Sequence, residues 1–394
     1  MNEMIDARRR QLMLAGAALT ATGLPLLARA ADPLKVGLIV PMSGPFASTG
    51  RQIEAAVKLY QQKNGDSVAG RKVDILLKDD GGVSPDVTKR LAQELVARDK
   101  AQVLMGFGLT PLALAAAPIA TQAKVPMIVT AAATSIIVQR SPYIVRTGFT
   151  LAQVTSPLAS WAAKNGIKSV VTFVSDYGPG LDAEKVFVKT FGEAGGKVVE
   201  SVRVPLRNPD YAPFLQRVKD ARPEALFVFV PSGEGAAVLK QFTERGLGAA
   251  GIRLICTGDV LDDDLMAGIG AAAKDVVSSH HYSAAHASAA NKEYVEGIAQ
   301  ANKGMRANFH SVGAYDGMHL LYESLKKTGG DADGEKLLAA MKGMSWESVR
   351  GPVSIDAGTR DIVQTVYMRK AEAKGNEFYN IEFDKVEKVR DPGV

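Results

Sequence analysis

One cysteine, Cys256, serves a chain of 394 residues. A lone thiol forms no internal disulfide, so stability must come from ordinary hydrophobic cores, even in an oxidising compartment. It ends the apolar run Ile252–Cys256 and reads as a small buried residue. The short catalytic motifs are missing too: there is no GxSxG elbow, P-loop or HExxH, and the turn that follows Leu34–Val40 lacks the GxGxxG spacing of a dinucleotide site. No nucleophile–base pair can be named, so neither an enzyme nor a cofactor is expected. Histidine is scarce, five in all. His280, His281 and His286 cluster, but their spacing fits no standard zinc pattern and no cysteine assists, so no metal is expected. Low-complexity segments and short repeats are absent. Charge excess is small, +5 for the whole chain and +3 once residues 1–30 are set aside, which gives nucleic acid no footing.

What is present begins with a leader. Arg8, Arg9 and Arg10 precede an apolar run, Leu12–Leu27, that ends in Ala28-Arg29-Ala30. This is the layout of a cleaved export signal, with the cut expected after Ala30. Gly16, Gly23 and Pro25 interrupt the run and make it a poor permanent span. Arg9-Arg10-Gln11-Leu12-Met13 suits a twin-arginine signal and equally an ordinary secretory one. Either route leads to the bacterial periplasm. The remaining 364 residues suffice for about two domains.

Beyond the leader, strand-like and helix-like segments alternate, the pattern of parallel sheets covered by helices. The first strands are Leu34–Val40, Lys72–Lys78, Ala101–Met105 and Pro126–Val129. A second set follows Thr147: Ser169–Val174, Lys197–Val204, Ala225–Val230 and Arg253–Cys256. Helices then fall near Asn291–Asn302, Ser311–Thr328 and Gly334–Met344, before β-like segments at Gly351–Ile355, Ile362–Arg369 and Phe378–Phe383. Two (βα) blocks in series predict an α/β fold of two Rossmann-like lobes with open, mostly parallel sheets. The richest stretch is Leu34–Gly50, where a buried strand runs through the small-residue turn Pro41-Met42-Ser43-Gly44-Pro45 into a helix. Such a unit holds ligands at the carboxyl end of a sheet, and it makes Ser43 and Gly44 candidate contacts.

These segments resemble a known family. Lys35-Val-Gly-Leu-Ile-Val-Pro-Met-Ser-Gly-Pro45, Val68-Ala-Gly-Arg-Lys-Val-Asp-Ile-Leu-Leu-Lys-Asp-Asp80 and Pro126-Met-Ile-Val-Thr-Ala-Ala-Ala-Thr-Ser135 carry the likeness, with Tyr143-Ile-Val-Arg-Thr147 close behind. So do Ser175-Asp-Tyr-Gly-Pro-Gly180, Cys256-Thr-Gly-Asp259 and Ala314-Tyr-Asp-Gly-Met-His-Leu-Leu-Tyr-Glu-Ser-Leu325. Together they resemble the leucine/isoleucine/valine-binding branch of type I periplasmic solute-binding proteins of ABC importers. The phrases at 141–147, 174–180, 257–260 and 350–356 look most like members that bind aromatic carboxylic acids. The resemblance implies three crossovers, near Arg146–Gly148, Ser279–Tyr282 and Ser348–Gly351. It divides the chain into one lobe of residues 31–147 plus 281–347 and another of 148–280 plus 348–394. A ligand would bind between the lobes, which close by hinge rotation. The partners it implies are a small carboxylate-bearing solute and the permease subunits, with the protein itself monomeric.

The candidate contacts follow from turns and from that resemblance. Exposed amides and a hydroxyl at a helix start favour an anion, and Thr134 and the Ala132 backbone match the family positions that hold a carboxylate. Thr134 would serve equally as a plain N-cap. Thr110, in the turn Gly106–Pro111, is a second expected carboxylate contact. Tyr177 matches the aromatic laid over the ligand by the second lobe. Asp259 falls where an acid pairs a ligand ammonium; accepting a phenolic O–H or capping a helix are its alternatives. Asp262, Asp263 and Asp264 read as a solvated first turn, and Asp79-Asp80 as a solvated loop. Ser232 lies in Pro231-Ser232-Gly233, a turn that departs from the family's aromatic version. Phe46, Phe149 and Tyr282 are further wall candidates. Branched-chain amino acids and aromatic acids both remain open as ligands, and a sensor subunit or a hydrolase on the same fold remain alternatives to import.

Overall fold

The computed structural model describes residues 32–206 and 209–393, so the leader expected over 1–30 and its cleavage after Ala30 lie outside the described residues. The first sheet comprises β1 (Leu34–Val40), β2 (Ser67–Val68), β3 (Arg71–Asp79), β4 (Val103–Gly106), β5 (Met127–Val129) and β6 (Ile144–Arg146). Its spatial order is β2-β3-β1-β4-β5-β6, and only β2 runs antiparallel to its neighbour. Helices α1 (Ala47–Asn64), α2 (Pro85–Ala97) and α3 (Thr110–Ala123) connect the strands. β1 has apolar residues at both odd and even positions and is buried along nearly its whole length, as a strand covered on both faces must be.

The second sheet opens after α4 (Leu151–Lys164) with β7 (Ser169–Ser175), followed by α5 (Gly178–Glu193), β8 (Lys197–Val204), α6 (Ala212–Ala221), β9 (Ala225–Phe229), α7 (Gly235–Glu244), β10 (Arg253–Thr257), α8 (Met266–Ile269) and β11 (Val277–His280). The chain then builds α9 (Ala289–Ala301), α10 (Phe309–Lys327) and α11 (Gly334–Met341). It returns to the second sheet with β12 (Ser345–Ser348), β13 (Gly351–Ile355), β14 (Ile362–Lys374) and β15 (Glu377–Val389). Among the described residues this sheet has nine strands, ordered β12-β13-β14-β11-β10-β9-β7-β8, with β15 paired to β14. The βα strands are parallel and the C-terminal ones antiparallel. β11 is an addition to the sequence reading, which placed a crossover from Ser279. β12 likewise joins the second sheet three residues before the boundary expected at 348. Both are four-residue strands, too short to show a period.

α10 packs along α1 and belongs with the first lobe. Thr147 Oγ1 donates to Gly313 O of that helix at 2.8 Å, so the first connection between the lobes lies directly beneath it. Three fully buried arginines sit where the lobes join, each paired with an aspartate: Arg146–Asp361 at 2.8 Å, Arg350–Asp316 at 2.7 Å and Arg369–Asp263 at 3.6 Å. Arg350 Nη2 also donates to Thr147 O at 2.6 Å, which ties the third connection to the first. No helix of the described residues is long and apolar enough to cross a membrane.

Candidate ligand site between the lobes

Loops at the carboxyl ends of both sheets converge on one cavity. From the first lobe come Phe46 and Thr49, then Gly108, Leu109 and Thr110 after β4, then Ala131, Ala132 and Ala133 after β5. The second lobe supplies Tyr177 after β7, Phe229, Pro231 and Ser232 at the end of β9, and Asp259 after β10. Phe149 and Leu151 from the first connection, Pro179 from the first turn of α5 and His310 from the first turn of α10 complete the lining.

One pole of this cavity is rich in hydrogen-bond donors. Thr110 starts α3 and its Oγ1 lies 2.7 Å from Thr134 Oγ1. The β4–α3 turn that delivers Thr110 runs through two left-handed residues, Gly106 (φ 113°) and Phe107 (φ 69°). A Cβ on Gly106 would meet Ile39 O at 2.4 Å, so only glycine fits there. Among the described residues, the backbone amides of Thr110, Ala133 and Thr134 have no protein acceptor. Amides left over at a helix start are an anion site in waiting.

The walls are aromatic. Tyr177 stacks on Phe229, with ring centroids 6.1 Å apart and an interplanar angle of 22°, and Phe46 and Phe149 also line the space. Burial, with a smaller contribution from Asp259, pushes the Tyr177 phenol well above its ordinary range, so it stays neutral.

The lining holds a second polar group. Asp259 is buried, and its Oδ2 has no hydrogen-bond partner within the protein. That oxygen is 3.5 Å from His280 Nε2. Burial drives His280 down to about 4 although Asp259 opposes the shift, and it drives His310 down to about 3. Both imidazoles are therefore neutral near pH 7. The His310 Nδ1 is likewise buried without a partner. A cavity that combines free amides and hydroxyls, aromatic walls and separate unpaired polar atoms on Asp259 and His310 suits a small planar solute that carries both an anionic and a polar group.

Around this cavity the lobes touch through donors on the first and carboxylates on the second. Ser48 Oγ donates to Asp264 Oδ2 at 2.5 Å, Asn308 Nδ2 to both oxygens of Asp262 at 3.0 Å, and Ser135 N to Asp182 Oδ2 at 2.9 Å. Burial, then the neighbouring Asp264, pushes Asp262 up to about 7; burial pushes Asp182 up to about 6. Gly178 at the start of α5 comes equally close to the first lobe: a Cβ there would sit 2.7 Å from Thr134 Oγ1.

A family model described as periplasmic binding protein matches residues 33–376. The chain belongs to the periplasmic binding protein family. Similar proteins include Leu/Ile/Val-binding protein homolog 6 of Brucella abortus, 43% identical over 96% of this chain and 97% of that one. Among solved structures, a solute-binding protein of an ABC transporter from Rhodopseudomonas palustris BisB5, in complex with 3,4-dihydroxybenzoic acid, is 60% identical. It covers 91% of this chain and 99% of its own, with a TM-score of 0.89. Another from R. palustris, in complex with 4-hydroxybenzoate, is 41% identical at TM-score 0.89, covering 92% of this chain and 99% of that one. The family is one of solute-binding proteins, not of enzymes.

Of the residues singled out in the sequence, this periplasmic binding protein gathers Thr110, Ala132, Tyr177, Ser232 and Asp259 around the cavity, with Phe46 and Phe149. Thr134 stands just behind, hydrogen-bonded to Thr110. The Ala132 amide, expected to meet a carboxylate, is spent on Phe107 O at 2.9 Å, which leaves the neighbouring Ala133 amide as the one of the two without a protein acceptor. Ser43 and Gly44 do not reach the cavity. Their exposed turn is held against the Asp79–Gly82 loop, where Asp79 Oδ1 accepts from Met42 N and Ser43 N. Tyr282 is also elsewhere: it is fully buried and its hydroxyl donates to Asn291 Oδ1 at 2.9 Å. Of the acids read as solvated, Asp79 is exposed and Asp264 half-buried, but the other three are not solvated. Asp262 and Asp263 are each 1% exposed, and Asp80 is buried against Thr88 and the Gly82 amide. His310 carried no sequence signal, since its place in the cavity depends on α10 crossing above the first connection.

Proposed function

We propose that this periplasmic binding protein captures a hydroxylated aromatic carboxylate and delivers it, by closing its lobes, to the permease subunits of an ABC importer. The observation that carries the reading is the polarity of the cavity. Thr110, Thr134 and the free amides would take the carboxylate through charge-assisted hydrogen bonds, each contributing about 1.5–3 kcal/mol. Tyr177, Phe229 and Phe46 would flank the ring, where flat side chains give contact area at low entropic cost. Asp259 would accept a ring O–H, with His310 beside it. Relatives at 60% and 41% identity that hold dihydroxybenzoate and hydroxybenzoate support the same chemistry. The protein acts in the periplasm as a monomer after removal of the leader behind Ala30, and the switch is a population shift from open to closed. No bond is made or broken.

Calorimetric titration of the mature protein with benzoate, 4-hydroxybenzoate, 3,4-dihydroxybenzoate, cinnamate and leucine tests this. The hydroxybenzoates are expected to bind most tightly. Asp259→Asn is expected to weaken them about tenfold or more while leaving benzoate nearly unchanged. Heat with leucine alone would overturn the reading and recast Asp259 as an ammonium partner.

A further inference from the structure

Behind the donor-rich pole lies a cation that does not line the cavity. Arg146, the last residue of β6 and part of the Tyr143–Thr147 phrase, is fully buried. Its Nη1 donates to Ala132 O at 2.9 Å and Phe149 O at 3.2 Å, and its Nη2 to Thr134 O at 2.8 Å. Its Nε faces Asp361 Oδ1 at 2.8 Å, across the junction of the lobes.

The geometry has a direct consequence for the amides in front. A trans peptide points its C=O and its N–H in opposite directions. Ala132 O and Ala133 N belong to one peptide; with its carbonyl drawn back to Arg146, that unit presents its N–H on the cavity side. The next peptide is fixed in the same manner, because Ala133 O accepts from Leu151 N at 2.9 Å. The guanidinium also stands among three acids. Asp361 pairs with it, Asp182 accepts from Ser135 N at 2.9 Å, and Asp391 Oδ1 accepts from Ser135 Oγ at 2.8 Å and Thr150 Oγ1 at 3.0 Å. Left uncompensated, those carboxylates would set a field hostile to an anion on the other side of the turn.

We propose that Arg146 is the positioning residue that makes this turn selective for an anionic ligand, by aiming the Ala133 N–H into the cavity and offsetting the carboxylates packed behind it. The inference rests on the reading of the cavity as an aryl carboxylate site. Arg146 acts through the backbone, so its signature is a change in preference between charged and neutral ligands, not merely a loss of affinity. A fork that engages three carbonyls also explains arginine over lysine, whose ammonium lacks the planar geometry.

The test is calorimetry with 4-hydroxybenzoate and its neutral counterpart, 4-hydroxybenzamide. Wild-type protein is expected to prefer the carboxylate. Arg146→Gln is expected to weaken the carboxylate at least about tenfold more than the carboxamide. Adding Asp361→Asn to that variant is expected to restore part of the preference, since one uncompensated carboxylate is then gone. Equal losses for both compounds would reduce Arg146 to a structural residue and overturn the inference. If Arg146→Gln does not fold, Asp361→Asn alone decides. A preference for the carboxylate that grows supports the role, whereas one that stays level or shrinks sinks it. Wild-type protein that binds neither compound overturns the ligand reading itself, and this inference with it.

Discussion

Replacing Gly178 by alanine separates closure from folding. The added Cβ would lie 2.7 Å from Thr134 Oγ1, 3.3 Å from Thr134 Cγ2 and 3.4 Å from Thr110 Cγ2. The first of these is closer than side chains tolerate. Thr134 cannot swing aside cheaply, because its hydroxyl is held by Thr110 at 2.7 Å. The backbone at Gly178 is not left-handed, so alanine is no strain within its own lobe. The clash therefore exists only when the lobes meet. Overpacking of this kind costs about 1–3 kcal/mol, and all of it falls on the closed form. Ligand affinity is expected to fall about fivefold to a hundredfold. The melting temperature without ligand is expected to stay level or to rise slightly, since alanine narrows the unfolded ensemble. Titration calorimetry reads the first quantity and differential scanning calorimetry the second. Wild-type affinity would show that α5 and Thr134 do not meet in the bound form. A lowered melting temperature would show that the contact is part of the fold at all times.

Two more expectations concern buried acids. Asp262, at about 7 between the lobes against about 3.9 in water, takes up a proton when the cleft closes, so closure gains as the pH falls through 7 and saturates near 4. Affinity at pH 5.5 is expected to exceed that at pH 8, by up to about thirtyfold if opening fully solvates the group, with Asp182 acting in the same direction. Asp262→Asn should flatten the profile, and a wild-type profile that is already flat or rises with pH would refute the argument. Asp316 meets Arg350 at 2.7 Å and also accepts from Trp346 Nε1 and Ser348 Oγ at 2.9 Å. Asp316→Asn leaves a buried guanidinium unpaired and is expected to cost about 3–5 kcal/mol of stability in denaturant unfolding; a midpoint within error of wild type would contradict it.

The larger elements were legible in the sequence because their signals are local. β1 and β8 fall at the limits expected, since apolar runs and the turns beside them mark their ends. Thr110 and Tyr177 were legible for the same reason: each sits where a strand ends and a helix begins. The burial of Asp262 had no local sign. It depends on Asn308, 46 positions later in the chain, and that of Asp264 on Ser48, 216 positions earlier. A run of three aspartates looks solvated until another lobe is placed on top of it. The displacement of Ser43 and Gly44 has a similar origin, because the exposed Asp79 carboxylate draws the Met42 and Ser43 amides to its own loop. Arg146 was visible as part of a phrase, but its task lay in three carbonyls that only the fold brings together.

The division of polar groups across the cleft has a kinetic consequence. One jaw carries hydroxyls and N–H groups, at Ser48, Thr110, Thr134, Ser135 and Asn308; the other carries Asp182, Asp259, Asp262 and Asp264. An anion drifting into the open mouth is drawn to the first jaw and turned away by the second. Capture is therefore ordered in time: the solute lands on the first jaw alone, and the acidic jaw arrives afterwards as a cover. Landing sets the association rate and the cover sets the residence time, so changes on the two jaws should register in different rate constants.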